Sequence, residues 1–231
     1  ELGHSFAGLA DEYWHAGWEA ANMTQESSPL LNKWNPWLYD NGIGIYQYES
    51  PGNSWYRPHQ NCKMRYLGPP FCSVCAEQTI KSVYSILDPI DSYFPDNQEL
   101  TVPASGIEYF SINPIPTVPS FITIDWFIDE QPINQGSTNL ELEASLYTEG
   151  EHEIKVVVKD GSDLVRNDPL NLLESEIIWN LMIVCNTMGD LNNDGLVNIQ
   201  DVILLVNDII GILADVTCTD INGDGEINIQ D

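Results

Sequence analysis

The stretch Phe121-Ile-Thr-Ile-Asp-Trp-Phe-Ile128, in the middle of this 231-residue chain, places apolar side chains at every second position. A second stretch, His152-Glu-Ile-Lys-Val-Val-Val-Lys159, repeats this period of two and is rich in β-branched residues. Both properties are typical of strands that bury one face against a core. We therefore predict strands at both stretches and a mainly β region around them.

The region around these strands, residues 95–185, resembles an immunoglobulin-like or PKD-like β-sandwich. The resemblance rests on Asp125-Trp-Phe-Ile-Asp129, on Gly150–Asp160 and on a last strand near Ile177-Ile-Trp-Asn180. It implies that Trp126 lies in the core of the sandwich. We expect His152, at the start of a strand, to be exposed rather than metal-bound.

The charge of the chain excludes two classes of partner. Its formal net charge is −27, from 35 Asp and Glu against 8 Lys and Arg. Nucleic acids and anionic membrane surfaces are bound through Lys and Arg, so we expect neither as a partner. No apolar run approaches the roughly 20 residues that span a bilayer, so we expect no membrane span.

The acidic imbalance is strongest at the end of the chain, where residues 189–231 contain nine acidic residues and neither Lys nor Arg. Two twelve-residue segments there, beginning at Asp190 and at Asp220, repeat the same pattern. Each has oxygen-bearing side chains at positions 1, 3, 5, 9 and 12 and Gly at position 6, as in EF-hand Ca²⁺ loops. The predicted Ca²⁺ ligands are Asp190, Asn192, Asp194, Asn198 and Asp201 in the first loop, and Asp220, Asn222, Asp224, Asn228 and Asp231 in the second.

The repeated loops and the apolar run after the first make residues 186–231 similar to a type I dockerin, a Ca²⁺-folded docking module. The resemblance implies a small, paired EF-hand-like helical module and a cohesin-like partner. We expect a helix over residues 202–210, and Val197, Ile227 and the Ile at each tenth position facing the core. At loop positions 10 and 11, where the family usually has Ser or Thr, this chain has Ile and Gln.

The beginning of the chain, Glu1-Leu-Gly-His4, matches the last four positions of H-E-x-x-H. In that motif two His bind Zn²⁺ from one helical face and the Glu acts on a metal-bound water. We therefore expect a first zinc-binding His immediately before Glu1, and we predict Glu1 as general base and His4 as a zinc ligand. Because that His is not in the sequence, we expect the chain as given to be inactive.

A third zinc ligand should follow the motif after a turn. Metzincins place a Gly three residues and a ligand six residues after the second His. Here Gly8 stands at four and Asp11 at seven. Asp11 is the preferred ligand, and Glu12 and His15 are alternatives. Met64, in Asn61-Cys-Lys-Met-Arg65, is the candidate for a Met-turn beneath the metal.

The combination of Gly3–Tyr13, Tyr56-Arg-Pro58, Cys62–Arg65 and Phe71-Cys-Ser-Val-Cys75 resembles the immunoglobulin A peptidase family of bacterial zinc metallopeptidases. The resemblance covers roughly residues 1–90. It implies an extracellular or cell-surface bacterial endopeptidase that hydrolyses protein or peptide substrates. It also implies Tyr56 and Tyr66 as candidate oxyanion partners.

Five cysteines stand at positions 62, 72, 75, 185 and 218. The pair Cys72 and Cys75 fits a redox motif, half of a structural zinc site, or a disulfide set. Since there is no second C-x-x-C, a disulfide from Cys62 to Cys72 or Cys75 is the preferred interpretation for a secreted chain. Cys185 and Cys218 are candidates for a second bridge.

The predicted fold class is multidomain α+β. Residues 1–94 are expected to be the C-terminal part of a metzincin-like catalytic domain, residues 95–185 the sandwich, and residues 186–231 the helical calcium module. The predicted function is zinc-dependent peptide hydrolysis. The alternative is a non-catalytic adhesion or scaffold protein with a degenerate peptidase head, which lacks the His before Glu1.

Overall fold

The computed structural model describes residues 2–13, 17–49, 54–185, 187–192, 196–212, 219–221 and 228–229. The chain divides into two compact units. Unit 1 comprises Glu1–Pro89 and Asp160–Glu174, and unit 2 comprises Ile90–Lys159 and Ser175–Asp231. None of the helices in the described residues is long and apolar enough to cross a membrane. The predicted divisions after residues 94 and 185 stay predictions.

Unit 1 contains little regular structure in its described residues. It has helices α1 (Leu2–Ser5) and α2 (Ser73–Tyr84), a 3-10 turn over Asn35–Trp37, and short antiparallel strands β1 (Tyr46–Gln47) and β2 (Tyr56–Arg57). Six prolines occur in the segment before α2, at positions 29, 36, 51, 58, 69 and 70. Because proline lacks the N–H that helices and sheets require, this segment folds mainly as turns.

Unit 2 is built from two β-sheets. The strands are β3 (Ile90–Phe94), β4 (Glu99–Pro103), β5 (Ile107–Pro114), β6 (Ile122–Ile128), β7 (Gln131–Gln135), β8 (Asn139–Glu143), β9 (Gly150–Asp160) and β10 (Glu174–Val184). One sheet has the order β3-β5-β8, and the other has the order β4-β10-β9-β6-β7. Strands β4 and β10 are parallel, and β6 and β7 form an antiparallel hairpin.

The core of unit 2 lies between these sheets and is centred on three aromatic side chains. Trp126 and Trp179 stack with ring centroids 6.0 Å apart, and Phe110 meets Trp179 edge-on at 5.1 Å. Both indole N–H groups are satisfied, because Trp126 donates to Ser137 O and Trp179 donates to Pro95 O. The predicted strands at residues 121–128 and 152–159 and the core position of Trp126 are confirmed.

The described part of the tail contributes one helix, α3 (Ile199–Ile209). Its N-terminus is fixed by a capping box, in which Asn198 accepts from the helix backbone and Asp201 accepts from Asn198 N. Leu205 and Leu191 belong to the same apolar core as the sandwich strands. The tail residues therefore complete the core of unit 2.

The predicted fold class is wrong. The described residues are 16% helical and 31% strand, so the chain is mostly β rather than an α+β peptidase joined to a helical module. In unit 1 the regular structure of the described residues is limited to two α-helices, a short 3-10 turn and one two-stranded sheet. In the tail, α3 is the only helix of the described residues, and its Leu205, Leu204 and Ile209 pack on the sandwich core, whereas its Val202, Ile203 and Val206 are exposed.

Candidate functional site

A cavity of about 410 Å³ in unit 1 collects several residues of the predicted zinc site. Its lining includes His4, Asp11 and Met64, together with Tyr13 and Tyr66. His4 comes from α1, Asp11 from the segment after it, and the other two predicted residues from the turn near residue 64. The structure thus brings together residues that are up to 62 positions apart in the sequence.

His4 and Asp11 face each other with the geometry of two metal ligands. His4 Nε2 lies 3.1 Å from Asp11 Oδ1. Two ligands that are each about 2.0–2.1 Å from a tetrahedral zinc lie about 3.3 Å from one another. His4 Nδ1 is 2.8 Å from Leu9 O, and a hydrogen bond from Nδ1–H to this carbonyl leaves the Nε2 lone pair free. The pair therefore fits a zinc ion.

Tyr13 is a member of this cavity that the sequence patterns did not single out. Its hydroxyl donates to Asp11 Oδ2 over 3.1 Å, while Asp11 Oδ1 faces His4. The two oxygens of one carboxylate are thus divided between a positioning hydrogen bond and the candidate metal position. The hydrogen bond to Asp11 raises the pKa of Tyr13 and keeps its hydroxyl a donor. Its signal in the sequence was its place at the end of the Gly3–Tyr13 stretch, two residues after Asp11.

Met64 packs directly against α1. A Cβ at Gly3 would lie 2.6 Å from Met64 Sδ, so a larger residue at position 3 would require the Met64 side chain to shift. The turn that carries Met64 is closed by Arg65 N and Tyr66 N, which both donate to Cys62 O. Glu12 N donates to Met64 O over 2.9 Å, and this bond ties the turn to the segment that bears Asp11.

The structure separates two of the three candidates for the third zinc ligand, Asp11 and Glu12. Asp11 lies at the cavity beside His4, whereas the buried side chain of Glu12 contacts Asn22 and Cys75 instead. His15 lies outside the described residues, as does the predicted general base Glu1. Tyr56, on β2, does not belong to the cavity lining, whereas Tyr66 does.

A second group of potential ligands lies in the core of unit 1. One ligand atom from each of Glu12, Cys62, Cys72 and Cys75 lies within 4.8 Å of all the others, the one such group of His, Cys, Asp or Glu among the described residues. The expected disulfide from Cys62 to Cys72 or Cys75 is wrong, because all three cysteines are free thiols. A disulfide between two of these cysteines would leave the third thiol unbridged beside the buried carboxylate of Glu12.

The ionisable groups of this cluster perturb one another. Burial, and then the charge of Cys62, raise the pKa of Glu12 to about 8, although hydrogen bonds from Asn22 and Cys75 and the charge of Arg57 oppose them. Hydrogen bonds from Cys72 and Cys75 lower the pKa of Cys62. The hydrogen bond to Cys62 raises the pKa of Cys72, and burial raises that of Cys75. Burial and the mutual proximity of these groups therefore disfavour charge on Glu12, Cys72 and Cys75, while Cys62 is the group whose ionised form the cluster favours.

The predicted calcium ligands are described in part. Asp190, Asn192, Asn198 and Asp201 of the first loop, and Asp220 and Asn228 of the second, are described, whereas Asp194, Asn222, Asp224 and Asp231 lie outside the described residues. Asp201 is buried and accepts the backbone N–H groups of Leu191, Asn192 and Asn198, and these bonds lower its pKa. Asp201, at the twelfth position, therefore binds the backbone at the start of the first loop.

Three other sequence expectations concern the tail and His152. Val197, Ile199 and Ile229 were expected to face the core, but they are exposed because Leu191 and Leu205 occupy the sandwich core. Cys185 is disulfide-bonded, and its expected partner Cys218 lies outside the described residues. His152 is half-buried rather than exposed, because it contacts Asp129 Oδ2 and Thr148 O.

Comparisons with known proteins add little to this geometry. No protein-family model matches the sequence, and no curated protein matches it. Among solved structures, a chain described as "Structures of Clostridium thermocellum CbhA fibronectin(III)-like modules" is similar, with 13% identity and a TM-score of 0.30. The match covers 42% of this chain and 98% of that chain. A likeness of this size assigns neither family nor function.

Proposed function

We propose that this chain is part of a zinc-dependent endopeptidase that hydrolyses peptide bonds in protein substrates. The observation that carries the proposal is the pair His4 Nε2 and Asp11 Oδ1, 3.1 Å apart at a cavity of about 410 Å³. An open cavity beside a ligand pair is what distinguishes a catalytic zinc site from a closed structural one.

Four residues of the cavity lining and the predicted base Glu1 have tasks in this proposal. His4 and Asp11 hold Zn²⁺, which when bound supplies a Lewis acid that activates water and polarises a carbonyl. Leu9 O orients the His4 ring, and Tyr13 orients the Asp11 carboxylate. Glu1 takes the proton of the attacking water. Tyr66, on the lining, stands on the turn beside Met64 and can donate to the substrate carbonyl.

The test is proteolysis by the protein expressed from its complete gene. We expect cleavage of denatured casein that falls at least about a hundredfold in the H4A and E1Q variants. H4A should also lose zinc, whereas E1Q should retain it, because Glu1 acts as a base and not as a ligand. Lys63→Ala, at the rim of the same cavity, is the control and should retain activity.

Two outcomes would refute the peptidase proposal. One is an E1Q variant with undiminished cleavage. The other is a complete gene product that cleaves no protein in the presence of zinc, and this result would favour the adhesion or scaffold alternative. The residue encoded before Glu1 separates the two functions in advance, because the enzyme requires His there.

We further propose that the tail loops bind Ca²⁺ and support a cohesin-like contact in an extracellular or cell-surface setting. The support from the described residues is that Asp201 turns back onto the segment that contains Asp190 and Asn192. Calorimetry should detect about two Ca²⁺ per chain, at affinities that reach the millimolar range of extracellular modules. D190A should remove one of them, and no binding at millimolar calcium would contradict the proposal.

A further inference from the structure

We propose that Glu12, Cys62, Cys72 and Cys75 form a second, structural zinc site in the core of unit 1. It is separate from the His4 and Asp11 pair and does not rest on the proposed peptidase activity. All four side chains are buried, and one ligand atom from each lies within 4.8 Å of the others. Four protein ligands without an open position are typical of structural zinc.

Two distances within the cluster match the edges of a zinc tetrahedron. With Zn–S bonds of about 2.3 Å, two thiolates of a tetrahedral site lie about 3.8 Å apart, and a thiolate and a carboxylate oxygen about 3.6 Å apart. Cys62 Sγ and Cys75 Sγ are 3.6 Å apart, and Cys75 Sγ and Glu12 Oε1 are 3.4 Å apart. A disulfide would need an S–S distance near about 2.05 Å.

The surroundings of the cluster resemble those of metal-bound thiolates. Cys72 N donates to Cys62 Sγ over 3.3 Å, and Asn22 Nδ2 donates to Glu12 Oε1 over 2.8 Å. Such hydrogen bonds orient ligands from the second layer of a metal site. Glu12 Oε2 is buried and makes no hydrogen bond, so this oxygen is left with an unused lone pair. A buried carboxylate oxygen without a partner is costly, and a cation would satisfy it.

The charges also fit a bound dication. Three thiolates and one carboxylate around Zn²⁺ leave a net charge of −2 in the protein interior. Arg57, whose side chain is only 3% exposed, acts electrostatically on Glu12, and its Nε and Nη1 make no hydrogen bond. Cys72 is the N-cap of α2 and Cys75 lies in its first turn, where the helix dipole favours thiolates. Soft sulfur ligands and a closed tetrahedral set select zinc over calcium or magnesium.

A zinc ion at this site would crosslink three segments of unit 1 that are separate in the sequence. Glu12 belongs to the segment of Asp11, Cys62 to the turn that carries Met64, and Cys72 and Cys75 to the start of α2. Adjacent residues thus serve two different centres, since Asp11 faces the open cavity and Glu12 faces the buried cluster. We infer that the buried zinc holds the Asp11 segment and the Met64 turn in place.

The first experiment uses the unmodified chain, purified without added metal. Elemental analysis should find zinc that survives gel filtration. An organomercurial titrant, which attacks thiolates, should release that zinc into a colorimetric indicator. After exchange with Co²⁺, the protein should show intense thiolate-to-cobalt charge-transfer absorption in the near ultraviolet. Histidine and carboxylate ligands do not produce this band, so it reports the buried cluster and not His4 and Asp11.

Substitutions then assign the ligands. C72S and C75S should each weaken both zinc binding and the charge-transfer band, because each leaves only two of the three thiolates, and E12Q should weaken zinc binding at least about tenfold. Glu19→Gln is the matched control for E12Q, because Glu19 is an exposed carboxylate of the same unit, and S73A is the control beside Cys72. The H4A/D11N double variant should keep the buried zinc, which separates this site from the proposed peptidase centre.

Three results would overturn the proposal. The first is a folded, unmodified chain that contains no zinc and whose cobalt-exchanged form lacks the charge-transfer band. The second is a disulfide among Cys62, Cys72 and Cys75, found by mass spectrometry of the alkylated, non-reduced protein. The third is full retention of zinc and of the cobalt spectrum in C75S. The first two use the unmodified protein and so do not depend on the folding of a variant.

Discussion

The two units of this chain are stabilised by different means. Unit 2 buries stacked tryptophans and rows of aliphatic side chains between two sheets, and the tail residues Leu191 and Leu205 complete the same core. Unit 1 buries polar groups at its centre, among them Glu12, Asn22, Arg57 and Glu77. Apolar burial stabilises without direction, whereas buried polar groups stabilise only when every partner is present.

This difference predicts where each unit can be broken. The apolar core of unit 1 is divided between two clusters that are each smaller than the core of unit 2, and small cores commonly need a metal or disulfides to remain folded. Unit 1 contains three free thiols around a carboxylate, so we expect a metal to supply that stabilisation. Unit 2 should be indifferent to zinc and sensitive to the loss of aromatic volume.

Removal of zinc should have the largest effect, and only on unit 1. The binding free energy of structural zinc is on the order of 10 kcal/mol, comparable with the stability of a whole domain. We expect a zinc-selective chelator, with calcium in excess, to abolish the hydrogen-exchange protection of α2 while β6 and β9 stay protected. Equal loss of protection in both units, or none in α2, would contradict the comparison.

Substitution of Trp179 should have the next largest effect, and only on unit 2. Trp179 is fully buried between Trp126, Phe110 and Tyr93, so Trp179→Ala should cost about 3–5 kcal/mol of unfolding free energy. The control is Tyr109→Ala, an exposed aromatic residue on β5 that should cost less than about 1 kcal/mol. Denaturant unfolding measures both, and similar costs would show that the stacked core is not what stabilises unit 2.

The structural features that could be predicted from the sequence are those that depend on short, local residue patterns. The alternation at residues 121–128 was sufficient for β6, and the Glu-x-x-His fragment with its spacing to Asp11 was sufficient to select two residues that meet at the cavity. The roles of His4 and Asp11 stay predictions. The fold class was wrong because the family resemblance implied an α+β peptidase domain, whereas the described residues are mostly β.

The buried cluster could not be predicted, because its ligands share no local pattern. Only Cys72 and Cys75 are neighbours, whereas Glu12 is 63 positions from Cys75 and was a candidate ligand for a different site. The same limit applies to Glu77, which accepts hydrogen bonds from backbone groups about 90 positions away. Such contacts depend on how segment 160–174 returns to unit 1, which composition and periodicity do not show.

Glu77 offers a test of polar stabilisation in unit 1 without any metal. Its Oε1 accepts Arg166 N and Asn167 N, and its Oε2 accepts Trp37 Nε1, all from a buried position. Because hydrogen bonds to a charged group contribute more than neutral ones, Glu77→Gln should cost about 1.5–3 kcal/mol in denaturant unfolding. Glu19→Gln, which breaks an exposed pair with Lys33, should cost at most about 1 kcal/mol. Equal losses of unfolding free energy in the two variants would mean that the buried hydrogen bonds of Glu77 do not stabilise unit 1.

The smallest expected effect on stability comes from a polar pair in unit 2, His152 and Asp129. Burial alone would lower the pKa of His152, but hydrogen bonds with Asp129 and Thr148 O outweigh it and raise the pKa. Burial would likewise raise the pKa of Asp129, but the N–H of Glu153 and then His152 lower it. The pair should therefore stabilise unit 2 most between the ordinary pKa values of Asp and His, about 4 and 6.5.

The direction of each pKa shift decides how the stability contributed by that residue changes with pH. The raised His152 contributes its full stabilisation below the pKa of an unfolded His, and this is lost as the pH rises through the folded pKa. The lowered Asp129 contributes above the pKa of an unfolded Asp, and this is lost as the pH falls. Since the Asp129 side chain is 48% exposed, the effect should stay below about 1 kcal/mol. An NMR titration should place the His152 pKa above 6.5 and show a fall in D129N; a value unchanged by D129N would mean that the pair does not contribute even this much.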